Sequence, residues 1–316
     1  LLLLVEVDIS QLAKSASPFV VVGIPAFNEE NTIARVLLEA QKYADVVVVC
    51  DDGSTDLTGE IAKRLGVDVV RHERNLGYGA AIKSLFERAR VVGADVLVTL
   101  DADGQHDPQE IPAVLKPVVD GVADVVIGSR FIDARGSAEM PKYRRIGAKL
   151  ITKMVNGSGS NGVSDAQSGF RAYGRRAIER LSVVEAGMGA SVEILLEASK
   201  QHLKVCEVPS TCKYRNGEAD TSTENPVTHG VGVVMSIIRL IVEEKPLMVL
   251  GVPSLLFLFA GIGFGVWMLQ IYATEHFIVT NIALASLAFV IVGFFMLSTA
   301  ITLYAITRLS KKVSKD

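Results

Sequence analysis

Asp101, Asp103 and Gln105 leave the end of an apolar run, Asp95-Val-Leu-Val-Thr-Leu100, within the string Leu100-Asp-Ala-Asp-Gly-Gln-His106. In an open α/β sheet, ligands bind outside the carboxyl ends of strands, so two carboxylates and an amide at this spacing would project into one crevice. Oxygen donors of this kind suit Mg²⁺ or Mn²⁺, and a hard dication in such a crevice typically holds a diphosphate. A plain polar turn uses the same residue types, because Asp and Gly favour turns. The pattern therefore acquires meaning only from the elements that position it.

Those elements alternate. Phe19 to Ile24, Val46 to Cys50, Val67 to Val70, Val96 to Leu100 and Val125 to Ile127 read as strands, with helices near 29–43, 56–65, 79–92 and 108–119 between them. Continuous Val and Ile runs without polar alternation predict strands covered on both faces, and the β-α repeat predicts a parallel, doubly wound α/β sheet. Helix starts are marked by Asn28 before Glu29 and Glu30, by Ser54-Thr55-Asp56, and by Pro108; each such terminus offers unpaired N–H groups and a positive dipole end.

With 49% hydrophobic residues among 316 and a mean hydropathy of +0.36, the chain is too apolar for an ordinary soluble domain. The excess lies at the C-terminal end: no charged residue occurs from Pro246 to Thr274 or from Phe277 to Thr307, and each run exceeds the roughly 20 residues that cross a bilayer. Two transmembrane helices separated by Glu275-His276 are expected, with Arg239 and Lys245 before them and Arg308, Lys311, Lys312 and Lys315 after. The positive-inside rule then puts both outer ends, and the large N-terminal part, in the cytoplasm. Gly261 and Gly265 have the G-x-x-x-G spacing that packs two spans or pairs copies of the chain into a homo-oligomer.

The pattern over 141–155 sets Lys142, Arg145, Lys149 and Lys153 against Ile146, Leu150, Ile151, Met154 and Val155. This predicts a helix in the membrane interface, cations toward headgroups and apolar residues toward acyl chains. A second interfacial helix is expected over 227–245. The organisation is thus a cytoplasmic catalytic domain over 1–226, the juxtamembrane helix over 227–245, the two spans over 246–308 and a basic tail over 309–316. Cys50, Cys206 and Cys212 form no metal-type pair and are odd in number, as in a reducing compartment. A net charge of −3 without a basic arm argues against nucleic acid as a partner. The apolar start Leu1 to Leu4 is too short for a signal-peptide core and, lacking an initiating Met, reads as a fragment edge or a cloning scar.

Four blocks in order, Ile24-Pro-Ala-Phe-Asn-Glu-Glu30, Cys50-Asp-Asp-Gly-Ser-Thr-Asp56, Asn75-Leu-Gly-Tyr-Gly79 and Asp101-Ala-Asp-Gly-Gln105, resemble the inverting family 2 glycosyltransferases of the GT-A fold. Gly128-Ser-Arg-Phe131, Gln167-Ser-Gly-Phe-Arg171, Lys213-Tyr-Arg215 and the C-terminal hairpin look like the polyprenyl-phosphate sugar synthases within that family, such as the dolichyl-phosphate mannose synthases. The resemblance implies a Rossmann-like nucleotide-sugar domain and metal-dependent transfer of a hexose, from GDP-mannose or a UDP-sugar such as UDP-glucose, to a dolichyl or polyprenyl phosphate at the bilayer. Tyr78 and Gly79 do not decide the sugar.

On that resemblance Pro25, Phe27, Asn28 and Glu29 border the nucleoside, Asp52 takes the base N–H, and Asp101 lies near ribose and metal. Asp103 and Gln105 resemble the direct metal ligands, with Mg²⁺ or Mn²⁺ bridging the donor phosphates. Catalytic roles fall to Asp103, Arg130 and Arg171. Arg130, Arg144, Arg171, Arg215 and Ser168 are the acceptor-phosphate candidates, since guanidinium forks match phosphate oxygens. A phosphate monoester is already mostly ionised near pH 7, so no general base is expected and none is assigned to His106. Two other classes compete: a family 2 synthase extending a glycan, disfavoured because the only tryptophan, Trp267, lies in a membrane span, and a catalytically silent membrane adaptor.

Overall fold

The structure, a computed structural model, describes residues 17–133, 140, 142–157, 162–212, 242 and 246–313. The chain divides into two compact units, Leu1–Val233 and Val234–Asp316.

In the first unit the apolar runs become β1 (Val20–Ala26), β2 (Val46–Asp51), β3 (Asp68–Arg71), β4 (Val96–Thr99) and β5 (Val125–Ser129). Helices α1 (Ile33–Ala40), α2 (Thr58–Arg64), α3 (Tyr78–Val92) and α4 (Ile111–Val119) alternate with them. Helix α1 starts later than its sequence pattern, because Asn28, at φ 56°, turns the chain and the N–H groups of Asn28, Glu29 and Glu30 donate to Ser54, Thr58 and Asp56 in the segment after β2. A 3₁₀ turn at Pro108–Glu110 precedes α4, with Asp107 accepting the Gln109 N–H.

Then come α5 (Lys142–Gly157), β6 (Arg171–Gly174), α6 (Arg175–Arg180), α7 (Ala190–Lys200) and β7 (Val205–Pro209). The sheet order is β3-β2-β1-β4-β6-β5-β7. The expected parallel sheet is corrected here to a mixed one: β6 runs antiparallel between β4 and β5, while every other pair is parallel. Arg-Ala-Tyr-Gly is short and is not an apolar run, so its strand had no signature of its own.

Both faces are covered, as uninterrupted β-branched strands require. Val20, Val22, Ile24 and Val98 pack with Ile33 and Leu37 of α1 and Ile111 and Val114 of α4. On the other face Val21, Val48 and Leu97 pack with Ile82, Leu85 and Phe86 of α3, Ile178 of α6 and Ile194 of α7.

Helix α5 forms where expected, but its contacts correct part of the interfacial assignment. Ala148, Ile151 and Val155 are buried in the unit, and Thr152 accepts the Ala166 N–H through Oγ1 at 3.2 Å, so this stripe faces protein rather than acyl chains. Lys149 and Lys153 stay exposed. The second expected interfacial helix, over 227–245, lies outside the described residues apart from Val242.

The second unit holds a π-helical turn (Leu247–Gly251), α8 (Val252–Glu275) and α9 (Thr280–Val313), which carries helix into the expected basic tail. Leu247–Glu275 and Thr280–Thr307 are long and apolar enough to cross a membrane. Large apolar side chains such as Leu256, Phe259 and Phe295 lie about two-thirds exposed on this hairpin, at 66%, 68% and 65%. Small residues let the helices meet. A Cβ on Gly261 would lie 2.7 Å from Val290 Cγ2, and Ser286 Oγ donates to the Gly261 carbonyl at 2.8 Å. Gly265 faces Ser286, whereas a Cβ on Gly263 would meet nothing within 4 Å, so the G-x-x-x-G pair is used inside the hairpin.

We predict that Gly261→Leu lowers the stability of the hairpin by about 1–3 kcal/mol through overpacking, while Gly263→Leu is silent. Thermal unfolding of the detergent-solubilised chain, followed by circular dichroism, checks this; equal midpoints for the two variants would disprove the contact.

Candidate active site

The carboxyl ends of β1, β2 and β4 lie side by side. The Asp52 N–H donates to the Ala26 carbonyl at 2.9 Å, fixing the β2 end to the β1 end. Asp51 is buried and its Oδ1 accepts the Ser54 N–H at 2.9 Å, closing the turn. Arg71 clamps that turn from outside, 3.3 Å from Asp51 Oδ2 and donating to the Ser54 carbonyl at 2.9 Å. Asn28 donates its N–H to Ser54 Oγ at 3.0 Å and accepts the Thr55 N–H at 2.9 Å. Pro25 is buried in β1, and Phe27, Asn28 and Glu29 are half-buried at its mouth. Burial raises the Glu29 carboxyl, opposed by the Thr32 hydroxyl and reinforced by the charges of Asp103 and Asp56.

Asp52, expected to meet a base N–H, is almost wholly buried and already accepts from His72 Nδ1 at 2.6 Å, Leu76 N at 2.9 Å and Gly77 N at 2.8 Å. Its main work is to hold the 72–77 loop. That loop in turn docks on 185–187: Gly79 donates to the Ala186 carbonyl at 2.7 Å, and Gly77, at φ 100°, leaves no room there for a side chain.

Asp101 and Asp103 sit beyond β4. Burial and then the Asp103 charge push the Asp101 carboxyl up to about 7, against the pull of Arg130 and Arg171. Burial raises Asp103 as well, opposed by the Gln105 N–H at 2.9 Å and by Arg130. Gly169 lets both Asp101 oxygens and the Tyr78 hydroxyl approach, at 2.7 to 2.8 Å from where a Cβ would stand. Among the described residues no ion pair neutralises either carboxylate, and no group of three His, Cys, Asp or Glu side chains is placed to hold a metal alone. Two mutually repelling carboxylates beside the Gln105 amide fit a dication that takes its remaining ligands from a bound molecule. The Cys212 thiol contacts Gln105 Oε1 at 3.6 Å.

Arg130, just past β5, is the cation that faces this pair. Its guanidinium forks onto buried Asp165, with Nε and Nη2 at 2.7 and 2.9 Å, and Glu207 holds the Ser164 and Asp165 N–H groups at 2.8 and 3.0 Å. Burial raises the Asp165 carboxyl, but the bonds and charge of Arg130 outweigh it and hold the group below its ordinary value.

The phosphate fork expected of Arg171 is corrected: the side chain is 1% exposed and donates to the carbonyls of Ser168, Ser191 and Ala166, each at 2.8 Å. Its hydrogen bonds knit the loop before β6 to α7, and only its charge reaches Asp101. Ser168 is likewise buried, donating to the Gly128 carbonyl at 2.7 Å, and does not offer its proton to an acceptor. Arg144 lies on α5, and Arg215 falls outside the described residues. His106 is buried against Phe170, its pKa lowered to about 4 by burial and by Arg130, which leaves it neutral at pH 7. The residues missed from sequence are Asp165, His72, Arg71 and Glu207. None belongs to a recognised block, and only the chain's folding brings them to the site.

Residues 21–182 match the family described as Glycosyl transferase family 2. UDP-N-acetylglucosamine–dolichyl-phosphate N-acetylglucosaminyltransferase from Methanococcus voltae is 32% identical over 67% of this chain and 89% of its own length. A dolichyl-phosphate hexose transferase from Haloferax volcanii is 32% identical over 69% of this chain and 92% of its own. Glucosyl-3-phosphoglycerate synthase from Mycobacterium tuberculosis, solved with Mn²⁺, UDP-glucose and phosphoglyceric acid, superposes with a TM-score of 0.55 at 20% identity, covering 75% of this chain and 84% of that one. The mixed sheet and its strand-end crevice are the GT-A fold, and the chain belongs to glycosyltransferase family 2. It is a glycosyltransferase with two apolar C-terminal helices suited to a membrane hairpin.

Because the folded Asp165 pKa is depressed, its pairing with Arg130 contributes fully above the unfolded value near pH ~4 and is lost as pH falls through the folded value. Asp165→Asn should cost about 3 kcal/mol at pH 7, the low end for breaking a buried pair. Thermal midpoints from pH 7 to pH 3 should show the gap between wild type and variant narrowing on the acid side; a gap independent of pH would disprove the assignment.

Proposed function

We propose that this chain transfers a hexose, or an N-acetylated hexose, from a nucleotide sugar to a dolichyl or polyprenyl phosphate, with a divalent cation and with inversion at the anomeric carbon. The lipid acceptor rests on one observation above all: the catalytic unit is continuous with two helices whose large apolar side chains are left uncovered. The names of the archaeal relatives, which specify dolichyl-phosphate acceptors, support it. The Mn²⁺ in the mycobacterial neighbour supports a divalent ion without choosing between Mg²⁺ and Mn²⁺.

In this reading the nucleoside lies against the mouth of β1 and the Asp51–Ser54 turn, and its diphosphate reaches toward Asp101, Asp103 and Gln105. Those three would hold the cation, whose Lewis acidity, worth several kcal/mol, stabilises the leaving nucleoside diphosphate. Arg130, kept rigid by Asp165, turns its remaining positive field toward the incoming lipid phosphate and offsets repulsion between two anions. The acceptor oxygen is ionised already, so the chain need not remove a proton, in keeping with a buried and neutral His106. A single displacement converts an α-linked donor to a β-linked lipid product. The positive residues flanking the spans support a catalytic unit on the cytoplasmic face.

Incubating the full chain in detergent with Mn²⁺, a short polyprenyl phosphate and, separately, labelled GDP-mannose, UDP-glucose and UDP-N-acetylglucosamine tests the reading. Label in the lipid phase from one donor is expected; nucleotide binding with no lipid label from any donor would move the acceptor to a glycan. Asp103→Ala should cut transfer by about 100-fold or more, the size of a lost Lewis-acid contribution. Arg130→Lys, which keeps charge but loses the fork, should raise the KM for polyprenyl phosphate about tenfold and leave the donor KM unchanged.

A further inference from the structure

The end of β3 carries a polar network centred on His72, a residue that none of the recognised blocks includes. His72 donates its backbone N–H to the Asp51 carbonyl at 2.9 Å, and its ring stands between two elements. Nδ1 lies 2.6 Å from Asp52 Oδ1 and Nε2 lies 2.9 Å from Ser84 Oγ on α3. Only 11% of the His72 side chain and 4% of the Asp52 side chain is exposed. Asp52 passes the connection on through both oxygens, Oδ1 to the Leu76 N–H and Oδ2 to the Gly77 N–H.

A carboxylate offers about four lone-pair positions. Three of those on Asp52 are committed within the chain, so at most one remains for a ligand, and it belongs to Oδ2. The orientation of that position depends on what grips Oδ1. Of the two groups that do so, the Leu76 N–H sits on the loop being organised, and the His72 ring is anchored independently, to β2 through its backbone and to α3 through Ser84. The same loop is pressed against the β2 turn, since the backbone of Arg74 and Asn75 fills the space where Gly53, at φ 74°, would carry a side chain. Turn and loop therefore form one wall at the nucleoside end of the crevice, joined through the Asp52 carboxylate, which the His72 imidazole holds from behind.

We infer that His72 is a positioning residue for the donor nucleoside: by fixing Oδ1 of Asp52 it holds the wall made by the Asp51–Ser54 turn and the 74–77 loop in a binding-ready form. The inference rests on the nucleotide-sugar reading above. It places the residue's influence on donor binding and not on the transfer step or on the lipid phosphate, which meet the chain at Asp101, Asp103 and Arg130. It also separates the two ring nitrogens, because Nδ1 serves the wall and Nε2 serves only as anchor.

Substitutions can keep one nitrogen at a time. Asn places an amide N–H near the Nδ1 position, Gln near Nε2, and Ala provides neither. Calorimetric titration of the full-length chain in detergent with UDP and with GDP, each in the presence of Mn²⁺, should give a Kd raised about tenfold in His72→Ala and His72→Gln, as for a lost charged hydrogen bond, and largely restored in His72→Asn. In the transfer assay the donor KM should rise in parallel, with kcat at saturating donor and the polyprenyl-phosphate KM within twofold of wild type. Binding by His72→Ala within twofold of wild type would overturn the inference, as would equal rescue by Asn and Gln, which would reduce the ring to a space filler. Should His72→Ala fail to fold by circular dichroism, the Asn and Gln pair still decides. A wild-type chain that binds neither nucleoside diphosphate would instead overturn the nucleotide-sugar reading, and the role of His72 with it.

Discussion

Two acidic side chains must share the end of β4 with no arginine or lysine paired to either among the described residues, and much of the catalytic unit is arranged around that constraint. Burial raises both carboxyls, and the charge of Asp103 pushes Asp101 further up. The compensating charges stand back from them. Arg130 is tied to Asp165 and Arg171 is consumed by three carbonyls, so neither collapses onto the acidic pair. A site neutralised by its own arginine would have no use for a divalent ion. Here the attraction is left for a ligand, while the arginines are locked in place to shape the field.

That division explains which features were legible in the sequence. The blocks around Asn28, Asp51 and Asp101 follow strands whose β-branched runs announce themselves, and their place at strand ends follows from the α/β pattern. The supporting residues carry no such mark. Asp165 lies in a polar stretch between α5 and β6, and His72 follows a strand of four residues, so their roles arise from contacts 35 and 20 positions away in the chain. For the same reason Arg171 and Ser168 misled: a motif tells that a residue matters, and only the bonds tell whether it meets the substrate or holds the loop.

Helix α5 shows the limit of amphipathic reasoning. An apolar stripe opposite lysines serves a bilayer or a protein core equally well, and Ile151 and Val155 are taken by the core. The hairpin is less ambiguous. Its helices are apolar around most of their circumference and touch through glycine and serine, which is how helices pack where no hydrophobic effect drives them together.

The antiparallel insertion of β6 has a consequence for how the chain is made. Strands β1 to β4 can pair with one another as they leave the ribosome, since each finds a neighbour already synthesised. Strand β5 cannot: its partners among the described residues are β6 and β7, and β6 begins roughly 40 residues further on. During that interval Val125, Val126 and Ile127 have an unmatched backbone on both sides, and the emerging half-sheet ends at an open β4 edge. Arg171–Gly174 is thus the closing piece of the sheet, and a ribosome stalled before it would leave two complementary edges exposed to whatever else is being translated nearby.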